Sequence, residues 1–381
     1  MLKLLITGAN GFVGQNLRAH IDEVKEVEYK TYTRENTIED LPKLLDGVHC
    51  VVHLAGVNRP DTEAEFAEGN VNFTKALLNG IESSGMALPV IYASSIQAER
   101  LSPYGVSKRQ TEQAVTEYGK RNSVSVRNYR LANVFGKWCK PNYNSMVATF
   151  CHNIARDIPI QINDENAEVR LVYIDDVCAE FIKMASDLAV YRANTNTSIA
   201  QVKPEYTSTV GEVAEALKTF KESRTTLVTE RVGDGFMRKL YATYVSYLPT
   251  ERFSYKVPKY GDERGVFVEM LKTKDSGQFS FFTAHPGITR GGHYHHTKNE
   301  KFLVIKGKAR FCFRHMVTDE FYELFTDGET PEIVETAPGW SHDITNVGDD
   351  EMVVMLWANE IFDRETPDTY AAPVQPPALK Q

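Results

Sequence analysis

The sequence predicts an α/β doubly wound parallel sheet followed by an all-β barrel, and two observations lead to this prediction. Over residues 1–200, short apolar runs alternate with helical segments, which is typical of βαβ units. From Phe253 onward, short strand-like runs separated by Gly, Asp and Pro replace that alternation. We therefore expect two domains, residues 1–250 and residues 251–381, with the boundary at Leu248–Arg252.

Each element follows from a local pattern of this kind. The predicted strands of the first domain are Leu2–Thr7, Glu28–Thr33, Cys50–Ala55, Pro89–Ser94 and Val124–Tyr129. Its predicted helices are Phe12–Ile21, Thr37–Leu45, Glu63–Ser83, Val106–Gly119, Thr209–Phe220 and Phe236–Tyr247. The predicted strands of the second domain are Gly265–Leu271, Gln278–Ala284, Lys301–Ile305, Ala309–Phe313, Phe321–Phe325 and Glu351–Ala358. The last eleven residues, which include three prolines, are expected to form a tail.

The composition argues against several classes of protein. A net charge of −8 is unlike the basic surface of a nucleic-acid-binding protein. No apolar run approaches the roughly 18 residues of a membrane span. The segment Met1–Thr7 lacks the basic and cleavage regions of a signal peptide. Five cysteines without a CxxC pair are typical of free thiols in a reducing compartment. We therefore expect a cytoplasmic protein with neither a nucleic-acid nor a membrane partner.

A glycine-rich turn, with Gly8, Gly11 and Gly14, joins the first predicted strand to the first helix. Glycines at such a turn let a pyrophosphate approach the helix N-terminus, where free N–H groups favour anions. This context is the one that a dinucleotide fingerprint requires. The spacing is G-x-x-G-x-x-G rather than the G-x-G-x-x-G of classical dehydrogenases. The alternative explanation is a tight strand-to-helix turn without a ligand.

Tyr104 and Lys108 are four residues apart, so that on a helix they lie on one face. A lysine ammonium near a phenol favours the phenolate and lowers its pKa. We therefore expect Tyr104 to exchange a proton with a carbonyl or alcohol oxygen. Ser94 and Ser95 end the preceding strand and can hydrogen-bond the same oxygen. Ser95 is the preferred catalytic serine, with Ser94 as the alternative.

This constellation resembles the extended short-chain dehydrogenase/reductase family, a Rossmann-like fold whose members act largely on nucleotide sugars. The resemblance covers about residues 1–250. Its further matches are His53-Leu-Ala-Gly56, Asn70-Val-Asn-Phe-Thr74, Arg130-Leu-Ala-Asn133-Val-Phe-Gly136 and Arg170-Leu-Val-Tyr-Ile-Asp-Asp176.

The resemblance implies roles for individual residues. Tyr104 would be the proton donor, and Lys108 would hold the nicotinamide ribose. Asn133 and Arg170 would bind the sugar nucleotide. The residues implied along the cofactor are Gly8, Asn10, Gly11, Phe12, Val13, Gly14, Leu54, Ala55, Gly56 and Lys108.

Arg34 bears on which nicotinamide binds. Enzymes that use NAD usually carry an acidic residue at the end of the second strand, whereas an arginine there accommodates the 2′-phosphate of NADP. The segment here is Thr31-Tyr-Thr-Arg34, with no acidic residue before Glu35. We therefore expect NADPH, with a solvent-facing arginine as the alternative explanation.

A second cluster of reactive side chains lies about 290 residues after the glycine turn. His293, His295, Glu300 and His342 are residue types that coordinate a first-row metal. His293 and His295 alternate, so that on a strand they face the same side. A set of three histidines and one carboxylate suits zinc.

The spacing resembles both motifs of the cupin fold, a small double-stranded β-barrel, over about residues 255–370. In that family these four residues ligate the metal. A second resemblance, carried by Asp262-Glu-Arg-Gly265-Val-Phe267 and Arg290-Gly-Gly-His293, is to deoxysugar 3,5-epimerases. There the histidine is the proton-abstracting base. His293 cannot easily serve both as ligand and as base; we favour ligation, which leaves the base unassigned.

Three interpretations of the second domain stay open. The metal polarises a ketone as a Lewis acid, or it stabilises the barrel, or the domain is a sugar-binding or dimerising module without chemistry of its own. The first is preferred.

The order of the two domains resembles the CapF-type enzymes of bacterial capsular polysaccharide synthesis along nearly the whole chain. That resemblance implies C3 epimerisation of a UDP-4-keto-2-acetamido-2,6-dideoxyhexose, followed by NADPH-dependent reduction at C4. The implied product is UDP-2-acetamido-2,6-dideoxy-L-talose, a precursor of N-acetyl-L-fucosamine, and the implied assembly is a zinc-bound homodimer. The alternatives are a reductase with a non-catalytic barrel, and a nucleotide-sugar sensor, which the retention of Tyr104 and Lys108 disfavours.

Overall fold

The structure is a computed structural model that describes residues 1–190, 197–258, 260–262, 265–267, 271–273, 277–360 and 365–375. Contacts divide the chain into two compact units. The amino-terminal unit comprises Met1–Ser145 and Val169–Thr207, and the carboxy-terminal unit comprises Met146–Glu168 and Ser208–Gln381.

The amino-terminal unit is built on a parallel sheet with the order β2-β1-β3-β4-β5-β8. The strands up to residue 209 are β1 Leu2–Thr7, β2 Val27–Tyr32, β3 Cys50–His53, β4 Val90–Ser95, β5 Val126–Leu131, β6 Asn133–Phe135, β7 Glu168–Tyr173, β8 Thr197–Ala200 and β9 Glu205–Thr209. A second, smaller sheet has the order β6-β7-β9. The predicted doubly wound parallel sheet is confirmed.

Helices connect these strands. They are α1 Phe12–Asp22, α2 Leu41–Leu45, α3 Ala64–Phe66, α4 Phe73–Ser83, α5 Pro103–Arg121, α6 Met146–Ile154 and α7 Ile174–Val190. Short 3₁₀ turns lie at Ile38–Asp40 and Ile96–Glu99, and a π-helical turn, Ala67–Asn72, precedes α4. Of the helices in the described part of the chain, none is long and apolar enough to cross a membrane.

The core of the parallel sheet explains why the strands form where they do. Leu5, Val51, Val90 and Val126 lie on adjacent strands, and each is 0% exposed. Strands covered on both faces carry nearly continuous apolar runs. The chain passes from β1 outward to β2 and then returns to β3 on the other side of β1. This reversal opens a crevice at the carboxyl ends of β1 and β3, where ligands bind in open α/β sheets.

The carboxy-terminal unit contains two antiparallel sheets, β11-β20-β17-β22-β15 and β19-β18-β21-β16-β23. The strands after residue 209 are β10 Val228–Thr229, β11 Ser254–Lys256, β12 Tyr260–Asp262, β13 Gly265–Phe267, β14 Lys272–Thr273, β15 Gln278–Ala284, β16 Thr289–Tyr294, β17 Glu300–Lys306, β18 Lys308–His315, β19 Phe321–Asp327, β20 Glu332–Glu335, β21 Trp340–Asn346, β22 Met352–Ala358 and β23 Tyr370–Ala371. The β-rich class predicted for this region is confirmed.

Helices also belong to this unit. α8 Val210–Thr226 and α9 Gly235–Ser246 pack with α6, and a 3₁₀ turn, Thr250–Arg252, leads into β11. The sequence interpretation placed α8 and α9 in the first domain, whereas contacts group them with the β-rich region. The domain boundary at residue 250 stays a prediction.

Two predictions for this region fall partly outside the described residues. The predicted strand Gly265–Leu271 is described only at residues 265–267 and 271, and residues 263–264 of the epimerase-like motif are not described. Of the predicted tail, the structure describes residues 371–375.

Candidate active sites

The glycine turn sits at the crevice of the parallel sheet. Gly8 has φ +67°, a backbone conformation that favours glycine. A Cβ on Gly14 would lie 2.5 Å from the carbonyl oxygen of Gly8, so this glycine lets α1 pack directly on the turn. Asn10 and Gly11 are exposed, and Phe12 and Val13 are partly exposed at the start of α1. The structure therefore presents the first turn of α1 to solvent at the carboxyl end of β1.

A buried histidine ties the turns after β1 and β3 together. The Thr7 hydroxyl lies 2.7 Å from Nδ1 of His53, and Nε2 of His53 lies 2.7 Å from the Thr74 hydroxyl. Thr74 donates its own proton to the carbonyl of Asn70, so Nε2 of His53 donates to Thr74 and Nδ1 accepts from Thr7. Burial lowers the pKa of His53 to about 3, which keeps the ring neutral. The Thr7 oxygen in turn accepts from the N–H groups of residues 54 and 55.

This network sets the course of Leu54-Ala55-Gly56. Both Leu54 and Ala55 are partly exposed, and Gly56 is exposed. The Asn70 side chain holds the next residue, because its Oδ1 accepts from the N–H of Val57 at 2.7 Å. Asn70 lies in the π-helical turn, and sequence reasoning assigned it no function of its own.

The ammonium group of Lys108 lies close to Gly56, at the end of the segment Leu54-Ala55-Gly56. It donates to the carbonyl of Ala93 at 3.0 Å, and a Cβ on Gly56 would lie 3.5 Å from Nζ. Lys108 is buried, and burial lowers the pKa of Lys108 to about 8. Thus Lys108 joins the strand that ends in the two serines to the turn predicted to carry the cofactor.

Tyr104 is in the first turn of α5, which begins earlier than predicted. Pro103 occupies the first helical position, and the Ser102 hydroxyl accepts from the N–H of Gly105 at 3.2 Å. Serine followed by proline is a helix-start signal that would have located this end. The helix carries both Tyr104 and Lys108, as their spacing predicted. The ammonium of Lys108 lies 5.9 Å from the centroid of the Tyr104 ring.

The electrostatic prediction for Tyr104 was wrong in direction for this structure. Burial raises the pKa of Tyr104 above its usual value, and the hydrogen bond with Ser95 only partly offsets that increase. Lys108 is not among the causes of the shift. The phenol is therefore held in the protonated form that a proton donor requires.

Ser94 and Ser95 point to different partners. The side chain of Ser95 interacts with Tyr104 and lowers the pKa of that phenol, and Oγ of Ser95 accepts from the N–H of Gln97 at 3.1 Å. Ser94 is buried and donates to Glu112 at 2.6 Å. Glu112 also receives two hydrogen bonds from Arg130, at 2.9 and 2.8 Å. The structure thus brings Ser95, and not Ser94, to Tyr104.

The predicted nucleotide-binding residues lie in two places. Arg34 is exposed in the turn after β2, at the edge of the crevice. Asn133 follows β5 on the side where Ser95 ends β4, since Ser95 and Leu131 are register partners. The side-chain amide of Asn133 donates to the main-chain oxygen of Arg170 at 2.9 Å, which brings these two together. The guanidinium of Arg170 pairs with Glu205.

The four predicted metal ligands converge in the carboxy-terminal unit. One ligand atom from each of His293, His295, Glu300 and His342 lies within 4.8 Å of the other three. His293 on β16 is the register partner of His342 on β21, and Glu300 begins β17. Nε2 of His295 lies 3.2 Å from Oε2 of Glu300, and Nε2 of His342 lies 3.4 Å from the same oxygen.

The charge state of this cluster suits a cation. Burial lowers the pKa of His293 to about 3 and also lowers that of His342, so both rings are neutral near pH 7. Burial alone would raise the pKa of Glu300, yet His295 and His342 hold it well below its usual value. Neutral imidazoles and an ionised carboxylate are the forms that bind metal ions.

A buried nitrogen without a hydrogen bond tests the fit of a metal to this cluster. Nε2 of His342 is buried and makes no hydrogen bond within the described residues, although it lies 3.4 Å from Oε2 of Glu300. Buried polar atoms are nearly always paired, and a bound ion is one explanation of an exception. Three nitrogens and one oxygen match the tetrahedral ligand sets of zinc. The residues present therefore fit a divalent metal.

Sequence reasoning missed two residues that support these sites. Glu112 holds Ser94 and Arg130, and Asp368 contacts the loop that follows His295. A helix position such as Glu112 carries no local signal for its partners. Asp368 is 73 residues from His295, and only the folded chain brings them together.

Comparison with known proteins gives matches along nearly the whole chain. Residues 4–200 match the NAD dependent epimerase/dehydratase family, and residues 260–370 match the polysaccharide biosynthesis C-terminal domain. A curated relative from Pseudomonas aeruginosa is 58% identical over 98% of this chain and 99% of its own length. It is named UDP-2-acetamido-2,6-beta-L-arabino-hexul-4-ose reductase.

The chain is also similar to solved structures. The capsular polysaccharide assembling protein CapF from Staphylococcus aureus is 41% identical, with a TM-score of 0.65, over 98% of this chain and 100% of that one. The structure of RMD from Pseudomonas aeruginosa complexed with NADPH covers 58% of this chain and 83% of that one. At 20% identity and a TM-score of 0.50, the second likeness shows the fold alone.

The chain belongs to the NAD dependent epimerase/dehydratase family and, within it, to the CapF-type capsular sugar enzymes that carry a polysaccharide biosynthesis C-terminal domain. Membership of this family indicates a nicotinamide cofactor.

Proposed function

We propose that this chain acts twice on one ketone. The carboxy-terminal unit epimerises C3 of a UDP-4-keto-2-acetamido-2,6-dideoxyhexose, and the amino-terminal unit then reduces the C4 ketone with NADPH. The product is UDP-2-acetamido-2,6-dideoxy-L-talose, for N-acetyl-L-fucosamine in a capsular polysaccharide. The observation that carries the proposal is that Tyr104 and Lys108 lie on one helix, while His293, His295, Glu300 and His342 converge elsewhere in the same chain.

The reductase half is supported by the contacts around Tyr104. Burial raises the pKa of the Tyr104 phenol, Ser95 interacts with that phenol, and Lys108 lies between the serine strand and Gly56. When bound, the cofactor supplies a hydride to C4 of the sugar. Tyr104 then gives its proton to the developing alkoxide, Ser95 orients the same oxygen, and solvent returns a proton to the tyrosinate.

The cofactor preference rests on Arg34. It is exposed at the end of β2, and its guanidinium can pair with the 2′-phosphate of NADPH. The first turn of α1 offers exposed backbone for the pyrophosphate. The 4-ulose in the relative's name is the class of substrate that we propose for this chain.

The epimerase half is supported by the metal-ligand set. His293, His295, Glu300 and His342 would hold a zinc ion, which would supply Lewis-acid stabilisation of negative charge on a ketone oxygen if that oxygen bound in addition to the four protein ligands. A 4-ketone acidifies the C–H bonds at C3 and C5, so a base can remove the C3 proton, and a proton from solvent is then added to the other face. The residue that serves as this base is unassigned, because ligation occupies the lone pair of His293.

Carbonyl acidity sets the order of the two steps. Once the ketone is reduced, the neighbouring C–H bond is no longer acidic, so epimerisation must come first. Epimerisation alone reaches an equilibrium, and the reduction draws it toward one stereoisomer. Placing both activities on one chain therefore serves one conversion.

A second candidate is an NADPH-dependent UDP-4-keto-sugar reductase whose carboxy-terminal unit is a metal-stabilised dimerising or sugar-binding module. The observation that favours it is the relative's name, which states a reductase activity alone. In either case we propose a homodimer, which analytical ultracentrifugation would test by a mass near twice the 43.0 kDa of the chain.

The configuration of the product separates the two candidates. Wild-type enzyme is given the unepimerised 4-keto sugar and NADPH, and NMR determines the configurations at C3 and C4 of the alcohol. The proposal predicts inversion at C3 with wild type, an alcohol without inversion at C3 with His295→Ala, and no alcohol with Tyr104→Phe. Retention of C3 configuration by wild type would favour the reductase alone.

A further inference from the structure

Asp368 contacts a proposed metal ligand through its main chain. The carbonyl oxygen of Asp368 lies 2.5 Å from Nδ1 of His295. A carbonyl can only accept, so Nδ1 carries the proton and donates it. Nε2, which faces Glu300 at 3.2 Å, is then the atom left for the ion. In the neutral ring this tautomer leaves Nε2 as an acceptor that faces a carboxylate oxygen, an arrangement that a bound cation would stabilise.

The side chain of Asp368 holds the loop that follows His295. Its Oδ1 accepts from the N–H of His296 at 2.9 Å, and its Oδ2 accepts from the N–H groups of Thr297 and Lys298 at 2.6 and 2.7 Å. The hydroxyl of Thr297 donates to Oδ2 as well, at 2.9 Å. One carboxylate thus collects four donors from three consecutive residues, which fixes the chain immediately after the ligand.

The segment that carries Asp368 is itself fastened beside the ligand strand. Tyr370 and Ala371 form β23, which pairs with Tyr294 and His293 of β16. Directly after β23, the N–H of Ala372 donates to the carbonyl of Gly292 at 2.9 Å. The position of Asp368 is therefore coupled to the strand that carries His293.

We propose that Asp368 is a positioning residue for the metal site: its carboxylate fixes the loop that follows His295 and so holds the Asp368 carbonyl against Nδ1 of that ring. This inference rests on the proposed metal site. Partners of this kind orient the metal-ligating histidine, and their loss typically lowers metal affinity by about 10–100-fold. The matched control is Asp327, whose Oδ1 accepts from the N–H groups of Glu329 and Thr330 at 2.9 and 2.8 Å. Those contacts cap a separate loop.

The experiment measures zinc affinity of the full-length chain, stripped of metal, by competition with a chromogenic chelator. We expect Asp368→Ala to weaken zinc binding about 10–100-fold and Asp327→Ala to leave it unchanged. In the cobalt-substituted protein, the d–d absorption of Asp368→Ala should lose the intensity typical of tetrahedral coordination. Asp368→Glu is the second variant, in case Asp368→Ala does not fold; it retains the charge but misplaces the carboxylate, and it should weaken binding to a smaller degree.

The outcomes distinguish the inference from the proposal beneath it. If wild type binds no zinc, the metal site and the role of Asp368 both fail. If wild type binds zinc and both Asp368 variants bind equally well, the metal site stands and the positioning role is overturned. Equal weakening by Asp327→Ala would also overturn it, because the loss would then reflect general destabilisation.

Discussion

Ser94 donates a hydrogen bond to Glu112 at 2.6 Å on the buried side of the strand, while the neighbouring Ser95 interacts with Tyr104 and lowers its pKa. The two serines are adjacent in sequence, so their side chains point to opposite faces of β4. We therefore expect Ser95, rather than Ser94, to face the substrate.

Ser95 and Ser94 are expected to differ in their effect on catalysis. Ser95→Ala removes a donor from the reacting oxygen, and we expect kcat for ketone reduction to fall about 100-fold. Ser94→Ala removes a hydrogen bond to Glu112 but no donor to the ketone oxygen. We therefore expect kcat to change by less than about threefold. Steady-state NADPH oxidation with the 4-keto sugar measures both. A larger loss from Ser94→Ala than from Ser95→Ala would reverse the assignment.

Lys108 makes the stability of the chain depend on pH. Its pKa falls to about 8 in the folded state from the usual 10.5. The unfolded chain therefore binds more protons between these two values, and the contribution of this group to stability rises as pH increases from about 8 to 10.5. In Lys108→Met this contribution is absent. Between about pH 8 and pH 10.5, the difference in free energy of unfolding between wild type and the variant should increase by roughly 3 kcal/mol in favour of wild type.

Urea denaturation at several pH values, without nucleotide, measures this difference. The variant is the control for other titrating groups, because it retains them. Parallel pH profiles of the two proteins would show that Lys108 is not perturbed by burial.

Gly14 is expected to tolerate no side chain. The added Cβ of Gly14→Ala would meet the Gly8 carbonyl oxygen at 2.5 Å, within the turn predicted to cradle the pyrophosphate. We expect a loss of about 1–3 kcal/mol in stability, as for other overpacked sites, together with weaker NADPH binding. Gly85→Ala is the control, since its φ of +69° costs about 1–2 kcal/mol but its Cβ would meet nothing within 4 Å. Thermal denaturation and fluorescence titration with NADPH report the two effects; unchanged nucleotide affinity in Gly14→Ala would contradict the prediction.

Arg34 is predicted to select NADPH. Removing the guanidinium in Arg34→Ala leaves the 2′-phosphate without its partner, so the KM for NADPH should rise about tenfold or more. The KM for NADH should stay within a factor of two, because NADH carries no 2′-phosphate. Equal changes for both cofactors would indicate a solvent-facing arginine.

Buried apolar runs made the parallel sheet predictable from the sequence. Strands β1 to β5 were predicted to within a few residues, because Leu5, Val51, Val90 and Val126 lie in runs that both faces of the sheet bury. The strands β16 and β21 were not predicted. Their sequences, Thr-Arg-Gly-Gly-His-Tyr and Trp-Ser-His-Asp-Ile-Thr-Asn, replace the apolar face with glycines and ligands.

Some features of the two candidate sites could likewise be predicted from the sequence, and others could not. Spacing along one element predicted that Tyr104 and Lys108 share a helix, and residue type predicted that the three histidines and Glu300 converge. The direction of the Tyr104 pKa shift was not predictable, because it depends on burial by distant residues. The partnership of His295 with Asp368 depends on β23 pairing with β16, for which no local signal exists.

Deuterium exchange is the most direct test of the claim that the chain epimerises C3 of the 4-keto sugar before it reduces the ketone. The 4-keto sugar is incubated with enzyme in D₂O without NADPH, and NMR follows deuterium at C3. We expect uptake with wild type and with Tyr104→Phe, and none with His295→Ala. If wild type incorporates no deuterium at C3, the chain does not catalyse epimerisation and the two-step account is contradicted.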